Sequence, residues 1–296
     1  MRKMGLQKHY YLMLLPGMIW LILFSIVPML GIVMAFQNYN PGQGLFRSEW
    51  VGLDNFKYMF QLGDSRTVIL NTFIIAVGKI VLGLVVPLVF AILLNELTHL
   101  RFKKLVQTVV YLPHFLSWVI MATIVIGIFG YYGVANTIVQ AFGGHPKLFM
   151  ADAGIFRQLV IGTDVWKEFG YNAIIYLAAL TGVNLNLYEA AAIDGANRWQ
   201  LIRHVTLPAL STTVVLLGVL SLGNVLNAGF DQVYNLYNPL VYSTGDILDT
   251  WVYRLGLQNL QFSLATAAGL FKSVISFVLI FISYRLAYRY ADYTVF

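Results

Sequence analysis

The stretch LYEAAAIDGANRWQLIRHVTLPAL, residues 187–210, concentrates charge in a chain that otherwise has little of it. Only 11% of the 296 residues are charged, whereas this stretch holds Glu189, Asp194, Arg198, Arg203 and His204. Long apolar runs lie on both sides of it. Soluble domains carry about 25% charged residues, but this chain is 59% hydrophobic and has a mean hydropathy of +0.72. These values predict a membrane protein whose charged stretch lies in water.

Six apolar segments are long enough to cross a bilayer, since a spanning helix needs about 20 apolar residues. We therefore predict an all-α polytopic membrane protein with a transmembrane domain over residues 11–290 and a short N-terminal segment, residues 1–10. The first apolar run is too long for a cleaved signal peptide, so it is expected to stay as a span. The six predicted spans cover residues 11–37, 68–95, 105–129, 156–181, 206–232 and 264–288.

The distribution of lysine and arginine orients the spans, because these residues are enriched in short cytoplasmic loops. An even number of spans places both termini on one side of the membrane. With the N-terminus inside, ten basic residues fall on the cytoplasmic side and six on the outer side. We therefore predict cytoplasmic termini. The charged stretch then lies in the cytoplasmic loop between spans four and five, residues 184–208, which we call the elbow.

The elbow reads as two short helices joined by a turn. Asn186 is a plausible N-cap with Glu189 three residues later, and the alanines that follow favour a helix. Gly195 permits a left-handed turn. A second helix is expected over residues 198–206, stopped by Pro208. The residues alone leave two interpretations open, a lipid-interface helix or a docking site for another protein.

The elbow also resembles a known signature. Glu189-Ala190-Ala191, then Gly195, then Val205-Thr206-Leu207-Pro208 is similar to the cytoplasmic motif of permease subunits of binding-protein-dependent ABC importers. Val205 stands where isoleucine is usual. The segment IDGANRWQ resembles the maltose-type carbohydrate permeases, and LLPGMIWLILFSIVPMLGIVMAFQNYNP near the N-terminus resembles the oligo- and polysaccharide branch. The resemblance covers nearly the whole chain.

The resemblance implies a set of partners in a bacterial cell membrane. They are a second homologous permease, giving a heterodimer, two cytoplasmic ATPase subunits, and an extracytoplasmic solute-binding protein. The elbow would be the coupling helix that sits in a groove of the ATPase. The residues it assigns to ATPase coupling are Glu189, Ala190, Ala191, Asp194, Gly195, Ala196, Leu207 and Pro208.

Polar residues inside two spans suggest a transport path, because such groups usually face a cavity or a partner helix. In span five, the three- to four-residue spacing of Asn224, Asn227 and Asp231 places them on one helix face. Hydrogen bonds between helices would explain them equally well, but the resemblance favours contact with a sugar. The predicted substrate path is Tyr171, Asn172, Tyr176, Asn224, Asn227 and Asp231.

The charged residues in the spans leave several interpretations open. Lys79 and Lys272 are expected to pair with an acid or snorkel, or to attract an acidic sugar. Asp164 is predicted to pair with Lys167 or Glu168 at the outer end of span four.

Catalytic motifs are missing from the sequence. It has no phosphate-binding G-x-x-x-x-G-K-[ST], no H-E-x-x-H and no cysteine. We therefore expect no enzyme activity and no cofactor in this chain, with ATP and Mg held by the partner ATPase. In a membrane protein the placement of the charges matters more than their total, so the net charge of +6 does not indicate nucleic acid. The predicted function is import of a carbohydrate, an oligosaccharide by resemblance, driven by ATP hydrolysis on a separate subunit. The alternative is an ion-coupled secondary transporter with Asp231 as the coupling residue.

Overall fold

The structure is a computed structural model that describes residues 3–290, with side chains for residues 8–286. The predicted N-terminal segment, residues 1–10, therefore begins outside the described residues. The chain divides into two compact units. One takes the residues up to Gly63 together with Val252–Phe271, and the other takes Asp64–Trp251 together with the residues from Lys272 onward.

The first unit begins with a helical run over residues 3–36, formed by α1 (Lys3–Leu21), a π-helical turn (Ile22–Ile26), α2 (Val27–Met29) and a 3-10 segment (Leu30–Phe36). The π turn comes directly before α2, whose second residue, Pro28, has no N–H to donate to a helical carbonyl. Strand β1 (Gln37–Asn38) then pairs antiparallel with β2 (Glu49–Trp50), with Gln37 opposite Trp50. The helix α3 (Asp54–Gln61) follows.

The remaining helices follow in chain order. They are α4 (Gly63–Asn95), α5 (Leu100–Tyr111), α6 (Trp118–Phe129), α7 (Val134–Ala141), α8 (Ala153–Thr181), α9 (Leu185–Ile193), α10 (Arg198–Leu201), α11 (Leu207–Leu222), α12 (Phe230–Leu236), α13 (Tyr242–Gly245), α14 (Leu248–Tyr253) and α15 (Phe262–Tyr290). A buried apolar cluster in the second unit includes residues of α4, α6, α8 and α12, among them Ile75, Val125, Phe156 and Val233. This cluster packs the four helices against one another.

Five helical segments within the described residues are long and apolar enough to cross a membrane: Lys8–Phe36, Gly63–Asn95, Trp118–Ala141, Arg198–Leu222 and Phe262–Leu286. The predicted all-α polytopic class is confirmed in its coarser form: the chain is a mostly helical multi-pass membrane protein, with a short pair of strands. The helix α8 covers the predicted span 156–181 but is not among the five. It carries Arg157, Asp164, Lys167 and Glu168. The count of six spans and the cytoplasmic termini stay predictions.

Span three was wrong as a single helix over residues 105–129. The helix α5 ends at Tyr111, a 3-10 turn follows over Leu112–Phe115, and α6 begins only at Trp118. Pro113 in the 3-10 turn has no N–H for an α-helical hydrogen bond. Ser117 is extended and its side chain accepts from the Ile120 N–H, which caps a new helix.

Span five was also wrong as a single helix over residues 206–232. The helix α11 ends at Leu222, and α12 begins at Phe230. We call residues 223–229 the span-five interruption. Glycine and asparagine are poor helix formers, and Gly229 has a left-handed φ of +91° that other residues rarely adopt. Asn224, Asn227 and Asp231 therefore do not share a helix face.

The elbow has two helices, but their ends differ from the prediction. The N-cap of α9 is Asn184, whose side chain accepts from the Asn186 N–H, so the prediction of Asn186 as the cap was wrong. Gly195 has a φ of +80°, the left-handed turn that was predicted. Pro208 does not stop the second helix. A π turn over Ile202–Thr206 lets the Leu207 N–H reach the Ile202 carbonyl, and the helix continues as α11.

Candidate functional site

A buried lysine in α4 joins three elements of the second unit. The Lys79 Nζ lies 3.0 Å from Asp164 Oδ1 of α8, and the Lys79 side chain is only 10% exposed. The same ammonium donates to the Ala228 carbonyl at 2.7 Å and to Gln232 Oε1 of α12. Asp164 thus pairs with Lys79, and the predicted pairing with Lys167 or Glu168 was wrong. This partner could not be predicted, because the register between α4 and α8 cannot be read from the sequence.

Gln232 extends this arrangement to α8. It is fully buried, and its Nε2 donates to the Val160 carbonyl at 2.7 Å and to Thr163 Oγ1 at 2.9 Å. A Cβ atom added to Gly229 would lie 2.8 Å from the Lys79 Nζ. The ammonium therefore occupies the space that a side chain at position 229 would need.

A cavity of about 380 Å³ lies beside the Lys79–Asp164 pair. Its apolar lining includes Ile80, Leu84 and Phe169. Its polar lining comes from α4, α8, the end of α11 and the span-five interruption, and consists of Lys79, Asp164, Glu168, Asn172, Ser221, Asn224 and Asn227. Hydroxyl and amide groups at these positions can both donate and accept hydrogen bonds. The cavity is therefore suited to a solute with many hydroxyl groups.

The cavity brings together half of the predicted substrate path. Asn172, Asn224 and Asn227 line it, whereas Tyr171, Tyr176 and Asp231 do not. Tyr176 is buried and its hydroxyl donates to the Leu84 carbonyl at 3.3 Å. The Tyr171 ring stacks on the ring of His114 with centroids 3.8 Å apart. Asp231 is an exposed residue in the first turn of α12.

A second polar cluster fastens the break after α5 to α8. Glu168 accepts from Lys167 Nζ at 2.7 Å, and its other oxygen lies 2.6 Å from His114 Nδ1. Lys167 also donates to the His114 carbonyl at 2.9 Å and lies over the Trp118 ring. This cluster was missed, although His114 directly after Pro113 hints at a break that needs polar partners. Over the described residues, no group of three or more His, Asp or Glu could hold a metal ion.

The elbow forms an exposed surface. Glu189, Ala190, Asp194 and Gly195 are exposed, and Ala191 and Ala196 are partly buried. Large apolar side chains are exposed beside them: Leu185, Leu187, Ile193 and Trp199. Tyr188 and Thr206 are linked by a hydrogen bond of 2.9 Å between their hydroxyls, which ties α9 to the base of α11. Leu207 and Pro208 lie in the first turn of α11.

Comparison with known proteins gives close matches over almost the whole chain. It is 42% identical to the polygalacturonan/rhamnogalacturonan transport system permease protein YteP of Bacillus subtilis (strain 168), over 97% of this chain and 89% of that protein. It is 41% identical to protein LplB of the same strain, over 93% and 86%.

Two solved structures share the fold. One is the crystal structure of a bacterial ABC transporter involved in the import of the acidic polysaccharide alginate, with a TM-score of 0.88, 36% identity and 98% of both chains covered. The other is a bacterial alginate ABC transporter in complex with an alginate pentasaccharide-bound periplasmic protein, with a TM-score of 0.89, 36% identity and 99% of both chains covered.

Residues 83–292 match the model of the binding-protein-dependent transport system inner membrane component. This range takes in the elbow, most of the cavity and the span-five interruption. The chain therefore belongs to the family of inner membrane components of binding-protein-dependent transport systems.

Proposed function

We propose that the chain is a permease subunit of an ATP-driven importer and that it moves an oligosaccharide into the cytoplasm along the cavity between α4, α8 and the span-five interruption. The observation that carries the proposal is the polar cavity itself. Asn172, Asn224 and Asn227 bring amide groups together among apolar helices, where such groups are costly unless they have partners. The names of the relatives, which specify transport of polygalacturonan, rhamnogalacturonan and alginate, support a sugar as the solute.

The cavity is suited to hydroxyl recognition more than to charge attraction. Lys79 already has Asp164, Gln232 and a backbone carbonyl as partners, so it does not offer a free ammonium to an acidic sugar. Glu168 is held by Lys167 and His114. We therefore expect amide hydrogen bonds to give this subunit its share of substrate affinity.

The working assembly we propose has a second homologous permease, two cytoplasmic ATPase subunits and an extracytoplasmic solute-binding protein, in a bacterial cell membrane. A periplasmic partner is named for the alginate transporter. In this arrangement α8 is the fourth of six spans, in addition to the five apolar helical segments, both termini are cytoplasmic, and this chain hydrolyses no ATP. The elbow docks on the ATPase through Glu189 and the small residues around Gly195, supported by the exposed Ile193 and Trp199 beside them.

An uptake assay tests the cavity. The importer is purified through a tag on this chain and reconstituted in liposomes with internal ATP and external binding protein. Labelled oligogalacturonides are the probe, with alginate and neutral galactose oligosaccharides in parallel. We expect Asn224→Leu and Asn227→Leu each to raise the KM of uptake about three- to tenfold, because each loses hydrogen bonds worth about 0.5–1.5 kcal/mol.

The control is Asn259→Leu, because Asn259 is exposed and lies outside the cavity. This variant should leave the KM unchanged. A normal KM for both cavity variants with every probe would refute the cavity as the path. Uptake that follows an ion gradient and does not need ATP would instead support the secondary transporter.

A charge reversal tests the elbow. In Glu189→Lys, we expect the ATPase subunits to be lost on purification, or to hydrolyse ATP without uptake. Glu96→Lys is the matched control, since Glu96 is also exposed and lies in another predicted cytoplasmic loop. Full, coupled uptake in Glu189→Lys would show that the elbow is not the coupling site.

A further inference from the structure

The span-five interruption places a short non-helical segment beside the cavity. Residues 223–226 form turns, and residues 227–229 have no regular hydrogen-bonding pattern. Non-helical backbone at membrane depth is tolerated only where the freed peptide groups find other partners. The shape of the segment therefore depends on the groups that bind its backbone from outside.

Lys79 supplies one of those groups. Its Nζ donates to the Ala228 carbonyl at 2.7 Å, and Ala228 itself is fully buried. Asp164 holds the same ammonium from α8 at 3.0 Å. The lysine is thus fixed on one side by a carboxylate and on the other by the backbone of the interruption.

The residues that follow Ala228 fit this contact. Gly229 has no side chain where the Lys79 Nζ lies, and its left-handed φ turns the chain into α12. Gln232 then accepts from Lys79 and donates to α8. The start of α12 is therefore attached to both α4 and α8 through one ammonium group and one amide.

We propose that Lys79 is a positioning residue that holds the span-five interruption in the shape that presents Asn224 and Asn227 to the cavity. The lysine acts on the solute through this backbone segment and not by direct contact. The inference rests on the proposed function for its link to transport. The hold on the segment can be measured without transport.

The absence of cysteine from the chain allows a direct test. In the full complex, Ala228→Cys introduces a single buried thiol in the interruption, of a residue type that tolerates burial. Its reaction rate with N-ethylmaleimide, followed by mass spectrometry of this chain, reports release of the segment. We expect Lys79→Met to raise that rate about tenfold or more, the effect of losing a hydrogen bond from a charged group.

Matched variants separate the hold from ion-pair stability. The double variant Lys79→Met with Asp164→Asn leaves no unpaired charge at this pair. The thiol at position 228 should still react faster with N-ethylmaleimide than it does in the parent. Gly229→Ala keeps the ion pair but places a Cβ against the ammonium, and it should release the thiol as well. Lys272→Met is the control, since Lys272 also forms a partly buried pair, with Asp249, outside the cavity lining. It should leave the rate unchanged.

The outcomes separate the inference from the proposed function. Release in the double variant, together with a raised KM for oligogalacturonide uptake at unchanged maximal rate, supports both. Release with an unchanged KM supports the hold by Lys79 and overturns the cavity as the sugar path. A thiol as protected in the double variant as in the parent overturns the inference. If the double variant does not assemble, protection in Gly229→Ala overturns it in the same way.

Discussion

Two glycines in α8 predict opposite responses to the same substitution. Gly170 packs directly on the backbone of α5, where an added Cβ would lie 2.6 Å from Val110 Cγ1 and 2.8 Å from the Val110 carbonyl carbon, and closer still to its oxygen. Gly162 has nothing within 4 Å of the same position. We expect Gly170→Ala to destabilise the protein and Gly162→Ala to leave it as stable or slightly more stable.

The size of the effect follows from these distances. Ordinary contact for a Cβ begins at 3.4 Å, so α5 and α8 must separate by more than about half an ångström around Gly170. Overpacking of this kind costs about 1–3 kcal/mol. The shift would also loosen the Lys167 hydrogen bond to the His114 carbonyl, since that contact joins α8 to the 3-10 turn that directly follows α5. At Gly162, alanine gains roughly 0.5–1 kcal/mol as the better helix former.

Thermal unfolding of the purified protein in detergent measures the difference. At roughly 2–4 °C for each kcal/mol, Gly170→Ala should lower Tm by about 2–12 °C. Gly162→Ala should leave Tm unchanged or raise it slightly. Equal Tm values for the two variants, or a lower Tm for Gly162→Ala, would refute the described packing of α5 on α8.

Three further substitutions test other parts of the chain. Gly195→Ala should lower the free energy of unfolding of the elbow by about 1–2 kcal/mol, because the φ of Gly195 is left-handed. Gly195→Asn should lower it less, and an equal loss of stability in the two variants would contradict the left-handed turn. Gln232→Leu should lower Tm by several degrees, because two buried acceptors in α8 lose their donor at about 1–3 kcal/mol each, and an unchanged Tm would argue against the contact. Asn71→Leu should speed limited proteolysis around residues 243–246, because the Ser243 and Asp246 carbonyls accept from the Asn71 amide, and unaltered cleavage would exclude that role.

The long apolar helices were the predictable part of the fold. The predicted segments 68–95 and 264–288 fall within α4 and α15, because their apolar runs are continuous and need no distant partner. The two helices of the elbow and the left-handed Gly195 also followed from local chemistry. In each case the deciding signal lies within a few residues of the feature.

The broken spans could not be predicted in the same way. In span five, the helical spacing of Asn224, Asn227 and Asp231 suggested one polar helix face, whereas the structure has an interruption there. What stabilises the break is Lys79, which lies 149 residues from Ala228 in sequence. The same holds for Asp164, whose partner is on another helix and not at a neighbouring position. Three of the six residues of the predicted substrate path line the cavity, and their contact with a solute stays a prediction. Single polar residues in a span identify the region but not the direction in which each side chain points.

The partners of Lys79 are synthesised later than Lys79 itself, and this bears on how α4 is inserted into the membrane. Lys79 lies in the middle of α4, where a lysine raises the free energy of membrane insertion by about 2.5–3.5 kcal/mol. Ribosomes add roughly 5–20 residues per second, so Ala228, 149 residues later, is made about 7–30 s after Lys79. During that interval the many leucines, isoleucines and valines of α4 must carry the lysine into the bilayer before Ala228 and Gln232, which later accept from it, have been made. The apolar length of α4 therefore serves the nascent chain as well as the finished one.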